Sequence, residues 1–267
     1  MKKMNGCKMK NTALRLFPVI FALLLLLTAC SEEETSSMSE EASSTAEGES
    51  SLLVSDENDD SVSADILEDG FYILYTEDEV DFSKAPKAEI NNYPWNSDYN
   101  PYAYGQAIFK KDDGFYIYMY CKESNPKTQI TEIGGDVYLD SALEFFCDYS
   151  PEANSTKRNY INLEMNSAGV YLAQYGQKSI LELSDERITV TGNRKKDYWT
   201  VTAHIPLEVL KDVYGDIEIG EGSVVACNFT KCGSGTKIKH WGTWQPLGGA
   251  SPNFHQPLFF AKVQIRK

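Results

Sequence analysis

The residues best suited to contact a ligand gather near the C-terminus. Lys239-His240-Trp241-Gly242-Thr243-Trp244-Gln245-Pro246-Leu247 and Pro252-Asn253-Phe254-His255-Gln256-Pro257 combine large aromatics with loop-forming Gly, Pro and Asn. Aromatics held on loops above a polar surface suit ligands with flat apolar faces and hydroxyl rims, which is the chemistry of sugars. Trp241 and Trp244 are the candidates there. The competing reading is that one tryptophan closes the end of the core, a role that fits Trp241 or Trp199 better than Trp244. Further upstream, Tyr138, Glu144, Asn162 and His204 stand where a polar face is expected.

Catalytic signals are sparse. No HExxH, GxSxG or GxxxxGK[ST] motif occurs. Glycoside hydrolysis needs two carboxylates about 5–9.5 Å apart. Asp140 and Glu144 on one strand would lie about 13 Å apart at ~3.3 Å per residue. Glu144 and Glu164 on adjacent strands could come closer, but nothing marks one as acid and the other as base. Cys227, Cys232, His240 and His255 match no zinc-ligand spacing. The chain is therefore predicted to be a binding protein rather than an enzyme, with no cofactor and no metal.

These residues must be positioned by strands. Polar and apolar residues alternate with period two over most of the region after residue 66. Gln106–Lys110 and Phe115–Cys121 flank Asp112-Asp113-Gly114, a hairpin signal. Tyr160–Met165 and Gly169–Tyr175 flank a second turn, and Arg187–Thr191 and Tyr198–Ile205 a third. Tyr138–Cys147, Ser223–Thr230 and Phe259–Ile265 are further predicted strands, and Pro206–Val213 a short helix with Pro in its first turn. In 138–146, Leu139, Leu143 and Phe145 share one face, and Tyr138, Asp140 and Glu144 the other. In 160–165, Ile161, Leu163 and Met165 oppose Tyr160, Asn162 and Glu164. In 198–205, Trp199, Val201, Ala203 and Ile205 oppose Tyr198, Thr200, Thr202 and His204. The apolar faces form the inter-sheet core of an all-β antiparallel sandwich. The other faces are either solvated or ligand-binding.

The 267 residues carry 39 acids and 25 bases, a net charge of -14. The charge is unevenly placed: residues 31–83 hold 18 acids and no Lys or Arg, leaving 21 acids and 20 bases for 84–267. A near-neutral folded region excludes a nucleic-acid binder, which needs a positive stripe. Residues 31–65 are almost all Ser, Glu, Asp, Ala and Thr with no aromatic, too polar to bury a core, and are predicted to form a disordered tether. All four Trp and all 16 Tyr lie in 66–267. Residues 1–29 have a basic start, an apolar run from Phe17 to Leu27 and then Leu27-Thr28-Ala29-Cys30, the pattern of a secretory signal. The ending resembles a lipobox, which implies cleavage before Cys30, lipidation of its thiol, and an extracytoplasmic, membrane-anchored protein at the cell surface. The expected organisation is thus a signal peptide at 1–29, a lipidated tether at 30–65 and one domain at 66–267. Cys121, Cys147, Cys227 and Cys232 remain in that domain. Cys121 and Cys147 each end a predicted strand and could pair, whereas Cys227 and Cys232 fall on opposite faces of one strand.

At this point the sequence resembles the family 9 carbohydrate-binding modules and their relatives with a DOMON-like sandwich. The resemblance rests on Ile90-Asn91-Asn92-Tyr93-Pro94-Trp95, Val137 to Phe146, Tyr160-Ile161-Asn162-Leu163-Glu164, Asn228 to Gly233, Trp244-Gln245-Pro246 and Phe254-His255-Gln256-Pro257. It implies that two aromatics sandwich a sugar at the end of a glycan. Tyr138, six residues before Glu144, takes the place of one, and Trp244 on the late loop fits the other, with Trp241 and Trp95 as substitutes. It implies that Glu144 and Asn162 bind hydroxyls. Three departures stand out: Tyr138 replaces a Trp, one extra residue precedes Glu144, and Tyr160 stands where relatives use an Arg. The resemblance implies non-catalytic capture of a saccharide or glycan. A protein-interaction or assembly module on the same sandwich is the alternative.

Overall fold

The computed structural model describes residues 70–95, 98–151, 159–176, 179–181 and 186–267. The signal peptide, Cys30 and the tether lie outside the described residues. The chain runs β1 (Ile73–Thr76), β2 (Ala88–Ile90), β3 (Ala103–Lys110), β4 (Gly114–Cys121), β5 (Ala142–Asp148), β6 (Ile161–Asn166), β7 (Tyr171–Tyr175), β8 (Ser179–Ile180), β9 (Thr189–Arg194), β10 (Trp199–Pro206), α1 (Leu207–Tyr214), β11 (Val224–Cys232), β12 (Trp241–Thr243) and β13 (Ala261–Arg266). Short 3-10 turns occur at Phe82–Lys84, Val137–Leu139 and Pro257–Phe259.

The strand order is β8-β7-β6-β5-β11-β13-β1-β3-β4-β10-β9, with β12 on β11 and β2 on β3. The path folds over at β1, so that β8 to β13 form one layer and β3 to β9 the other. All pairings are antiparallel except those of β1, which is parallel to both β13 and β3. The antiparallel sandwich expected from the alternation is present, with β1 as a parallel seam between its layers.

The alternation places the core. Leu143, Phe145 and Cys147 of β5, Ile161, Leu163 and Met165 of β6, and Val225, Cys227 and Phe229 of β11 meet Ile117, Met119 and Cys121 of β4 and Trp199, Val201 and Ala203 of β10. The layers approach so closely that a Cβ on Gly105 of β3 would lie 2.0 Å from Phe229 Cδ1. The hairpin of β3 and β4 turns through Asp112 at φ 57° and Gly114 at φ 134°, a backbone region that favours Gly and tolerates Asp. α1 follows β10 directly, Pro206 preceding it as the cap and Gly215 ending it at φ 80°.

Two elements differ from the sequence expectation. The strand predicted from Tyr138 begins only at Ala142. The Asp140 carboxylate accepts the backbone N–H groups of Gln129 (2.9 Å) and Ile130 (2.9 Å) and the Asn166 amide (3.1 Å). The Ser141 N–H donates to the Lys127 carbonyl at 3.0 Å. These bonds hold 137–141 out of the ladder, so Leu139 is 36% exposed instead of core-facing and Asp140 is not on the Glu144 face. The third hairpin is also longer than its Gly192–Asp197 turn suggested. β9 continues to Arg194, and the chain reverses with Lys195 N–H donating to the Tyr198 carbonyl.

Candidate functional site

A cavity of about 360 Å³ opens on the outer face of the layer containing β7, β6, β5 and β11. Its floor follows from strand register. Glu144 and Glu164 are direct cross-strand partners, flanked by Leu172 on β7 and Thr230 on β11. Gln174 and Cys232 extend the floor to either side. Tyr138, on the turn before β5, and Trp241, on β12, stand among the walls. The segment Pro252–His255 supplies Phe254 and His255. Behind that wall, Phe146, Tyr160, Phe254 and Phe260 form a second apolar cluster on the outer face. His255 is fixed there by a 2.8 Å hydrogen bond between its Nδ1 and the Tyr160 hydroxyl.

The two carboxyls dominate the electrostatics. Burial is the main cause that pushes Glu144 up to about 7, against the hydrogen bond it accepts from the Thr230 hydroxyl at 3.1 Å. Burial and then the Glu144 charge push Glu164 well above the usual carboxylate range. Glu164 Oε1 accepts from the Asn162 amide at 3.1 Å, whereas Oε2 makes no hydrogen bond. Two like charges this close share protons and titrate as a pair.

The sequence candidates divide into those the cavity gathers and those it does not. Tyr138, 39% exposed, Glu144 and Trp241 line it. Trp241 is fixed by its indole N–H donating to Ser234 Oγ at 2.8 Å. Asn162 is fully buried two pairs along from Glu144, opposite Phe146, and does not line the cavity. Its amide bridges Glu164 and Gln174, the latter at 3.3 Å, so it positions floor residues. Trp244 is half-buried and packs against the core: its ring is 4.8 Å from Phe71 and 6.0 Å from Phe229. The reason is register. Trp241 pairs with Cys232 on the outer face, and three residues on, the extended chain turns its side chain inward. The core-closing role therefore falls to Trp244 and Trp199, not to Trp241. Trp95 packs on Phe254, 6.1 Å away. His204 belongs to the other layer, stacked on Tyr116 at 4.2 Å and 3.1 Å from Asp113.

Of the lining residues, Phe254 belongs to a segment that the sequence singles out, whereas Gln174 and Asp136 carry no such signal and Glu164 stands out there only as a catalytic partner. Glu164 was accessible, since it follows Asn162 by two and so shares its face. Asp136 and Phe254 sit in irregular segments, where no periodicity assigns direction. All four domain cysteines are buried and free, and Cys227 and Cys232 do face opposite sides. Cys147 is the cross-strand partner of Cys227, not of Cys121. Among the described residues no cluster of His, Cys, Asp and Glu could hold a metal ion.

A sandwich with an aromatic-walled, carboxyl-floored cavity on one sheet face defines a small-ligand binding module. Residues 75–265 match the carbohydrate-binding family 9 model, and the chain belongs to that family. Similar solved structures include a Bacteroides uniformis ATCC 8492 protein classed as carbohydrate-binding, with TM-score 0.55 and 21% identity over 68% of this chain and 86% of that one. A family 9 carbohydrate-binding module from Caldicellulosiruptor kristjanssonii in complex with cellotriose has TM-score 0.53 and 13% identity, over 73% of this chain and 93% of that one. The same organism's module in complex with glucose gives TM-score 0.51 and 13% identity, over 73% and 95%. No curated protein matches the chain.

Proposed function

We propose that the protein captures a saccharide without turning it over, in the cavity bounded by Tyr138, Trp241 and the 252–255 segment. The observation that carries this reading is the floor itself. Two buried carboxyls lie side by side with an unpartnered acceptor oxygen, beneath aromatic walls. Sugar rings present CH faces to aromatics and hydroxyls to acceptors. Aromatic contacts of ~0.5–1.5 kcal/mol beyond area burial and hydrogen bonds of ~1 kcal/mol each amount to affinities in the micromolar to millimolar range. Side-by-side placement on one floor also disfavours hydrolysis, because a general acid and its partner carboxylate must flank the scissile bond. The solved family 9 modules bound to glucose and cellotriose lend the reading support from the fold.

The folded domain belongs, in this proposal, to residues 66–267, held by the 30–65 tether to a lipidated Cys30 and displayed outside the cell. Leu27-Thr28-Ala29-Cys30 and the basic residues before it support that placement. Two or more acyl chains on Cys30 anchor stably where one binds marginally. Calorimetric titration with mono- and oligosaccharides tests the binding; no heat from any saccharide at millimolar concentration contradicts it. Palmitate labelling that persists in Cys30→Ala contradicts the anchoring.

A further inference from the structure

The polar atoms left open at the cavity floor are acceptors. Glu144 and Glu164 face each other across β5 and β6 at 2% and 4% exposure. Glu164 Oε2 makes no hydrogen bond, and beneath the floor the fully buried Asn162 Oδ1 makes none either. Asp136 adds a third carboxyl to the lining, and no Lys or Arg is among the lining residues. Lys231, next to Cys232 on β11, lies on the opposite face with its ammonium 3.6 Å from Glu123. The imidazolium form of His255 is disfavoured by burial. The donors that face the pair are neutral, the Thr230 hydroxyl and Cys232 thiol toward Glu144 and the Asn162 amide and Tyr138 backbone N–H toward Glu164. The Lys231 charge reaches Glu144 only from the opposite face, where its ammonium is engaged by Glu123 and the Cys232 carbonyl, so no cation stands in the cavity itself. A neutral hydroxyl satisfies one acceptor. A cation satisfies an acceptor and relieves the like-charge repulsion as well.

Resting on the saccharide reading of this cavity, we propose that its preferred ligand is an amino sugar, a hexosamine residue whose free amine is protonated. Glu144 and Glu164 hold the ammonium between them, while Tyr138 and Trp241 take the apolar ring faces. Asn162, bridging Glu164 and Gln174, fixes the geometry of that ammonium seat. An N-acetylated sugar lacks the charge and brings a bulkier group to the same place, so it is excluded from the seat.

The sign of the pH dependence follows from the same groups. Burial raises both carboxyls, and the Glu144 and Asp136 charges raise Glu164 further; the Thr230 hydroxyl, the Cys232 thiol and the Lys231 charge at Glu144, and the nearby Tyr138 backbone N–H and Asn162 amide at Glu164, oppose this only in part. A bound ammonium must therefore displace protons from the pair. More of them are present at lower pH, whereas the sugar amine keeps its charge, so affinity falls as pH falls. For a neutral sugar there is no such competition.

Calorimetric titration of the full chain with glucosamine, glucose and N-acetylglucosamine at pH 7 and pH 5, for wild type and Glu164→Gln, tests this. The expected result is at least tenfold tighter binding of glucosamine than of glucose at pH 7. That preference shrinks at least tenfold at pH 5, weakens with added salt, and is lost in Glu164→Gln. Glucose binding as tightly as glucosamine at pH 7 overturns the amino-sugar assignment and leaves the saccharide reading standing. Absence of binding by all three sugars, with calcium binding that Glu164→Gln removes, overturns both.

Discussion

Glu164 places a nearly buried carboxyl directly opposite a second one, and this has a cost that depends on pH. Both groups have folded pKa values raised above the unfolded ones, Glu144 from 4.5 to about 7. Their contribution is fully present below the unfolded value and is lost as pH rises through the folded one. At ~1.4 kcal/mol per pKa unit, Glu144 alone accounts for roughly 3 kcal/mol. Glu164→Gln removes one of the two charges and the repulsion. Thermal melts of wild type and Glu164→Gln should coincide near pH 5 and separate by pH 8, with the variant higher by about 5 °C or more. Identical melts at pH 8 would show that the pair is not ionising within the fold. The dyad was half legible in the sequence: alternation put Glu144 and Glu164 on polar faces, but their meeting depends on the register of β5 against β6, which no local pattern encodes. The same holds for the tryptophans. Trp241 and Trp244 look equivalent in the chain, and only the pairing of Trp241 with Cys232 separates them.

Strands with one apolar face were legible from the alternation. β4, β6, β7, β10 and β11 all fall on segments where apolar residues recur every second position. Elements held by side-chain-to-backbone bonds did not. Val137–Leu139 reads as strand because Tyr138 and Leu139 alternate with their neighbours, yet Asp140 and Ser141 bind the 127–130 backbone and pull the chain away. That displacement carries Tyr138 to the cavity wall. A second polar device joins the two layers. The Glu123 carboxylate, beyond β4, accepts from the Trp199 indole of β10 at 3.0 Å and from the Ser141 hydroxyl at 2.9 Å, and lies 3.6 Å from the Lys231 ammonium of β11. Burial acts to raise its pKa, but the Lys231 charge and the two hydrogen bonds outweigh it and hold the carboxyl below its usual value. Lys231 is fully buried. Glu123→Ala leaves that ammonium unpaired, and denaturant melts should show a loss of about 3–5 kcal/mol. A loss under 1 kcal/mol would mean that Lys231 finds another partner. The outer face of the β3-β4-β10 layer carries a row of tyrosines. Tyr104 stacks on Tyr120 at 5.2 Å and Tyr120 on Tyr198 at 5.1 Å, so these rings spend their faces on one another.

At the scale of the whole molecule, two layers close on a shared core and leave one outer face concave. The closeness of the layers is set at Gly105, where Phe229 occupies the space of a side chain. Gly105→Ala should force Phe229 or β3 to shift, at about 1–3 kcal/mol in a denaturant melt. An unchanged melt would show that the layers have slack. The motif order from Ile90 to Pro257 carried the family, because spacing along a chain survives where single residues change. The composition of the Trp241 and Pro252–His255 segments put both forward as ligand contacts, but their place over the Glu144–Glu164 floor depends on the pairing of β12 with β11, which no local pattern carries. In the proposed function a saccharide is held between Tyr138 and Trp241 over the carboxyl floor, and Trp244 serves only to pack against the core. The most direct test is calorimetric titration of wild type, Trp241→Ala and Trp244→Ala with the saccharide that binds wild type best. The predicted result is at least tenfold weaker binding for Trp241→Ala with an unchanged melt. For Trp244→Ala, affinity should stay near wild type while stability falls by about 3 kcal/mol. Affinity lost in a still-folded Trp244→Ala, and retained in Trp241→Ala, would contradict it.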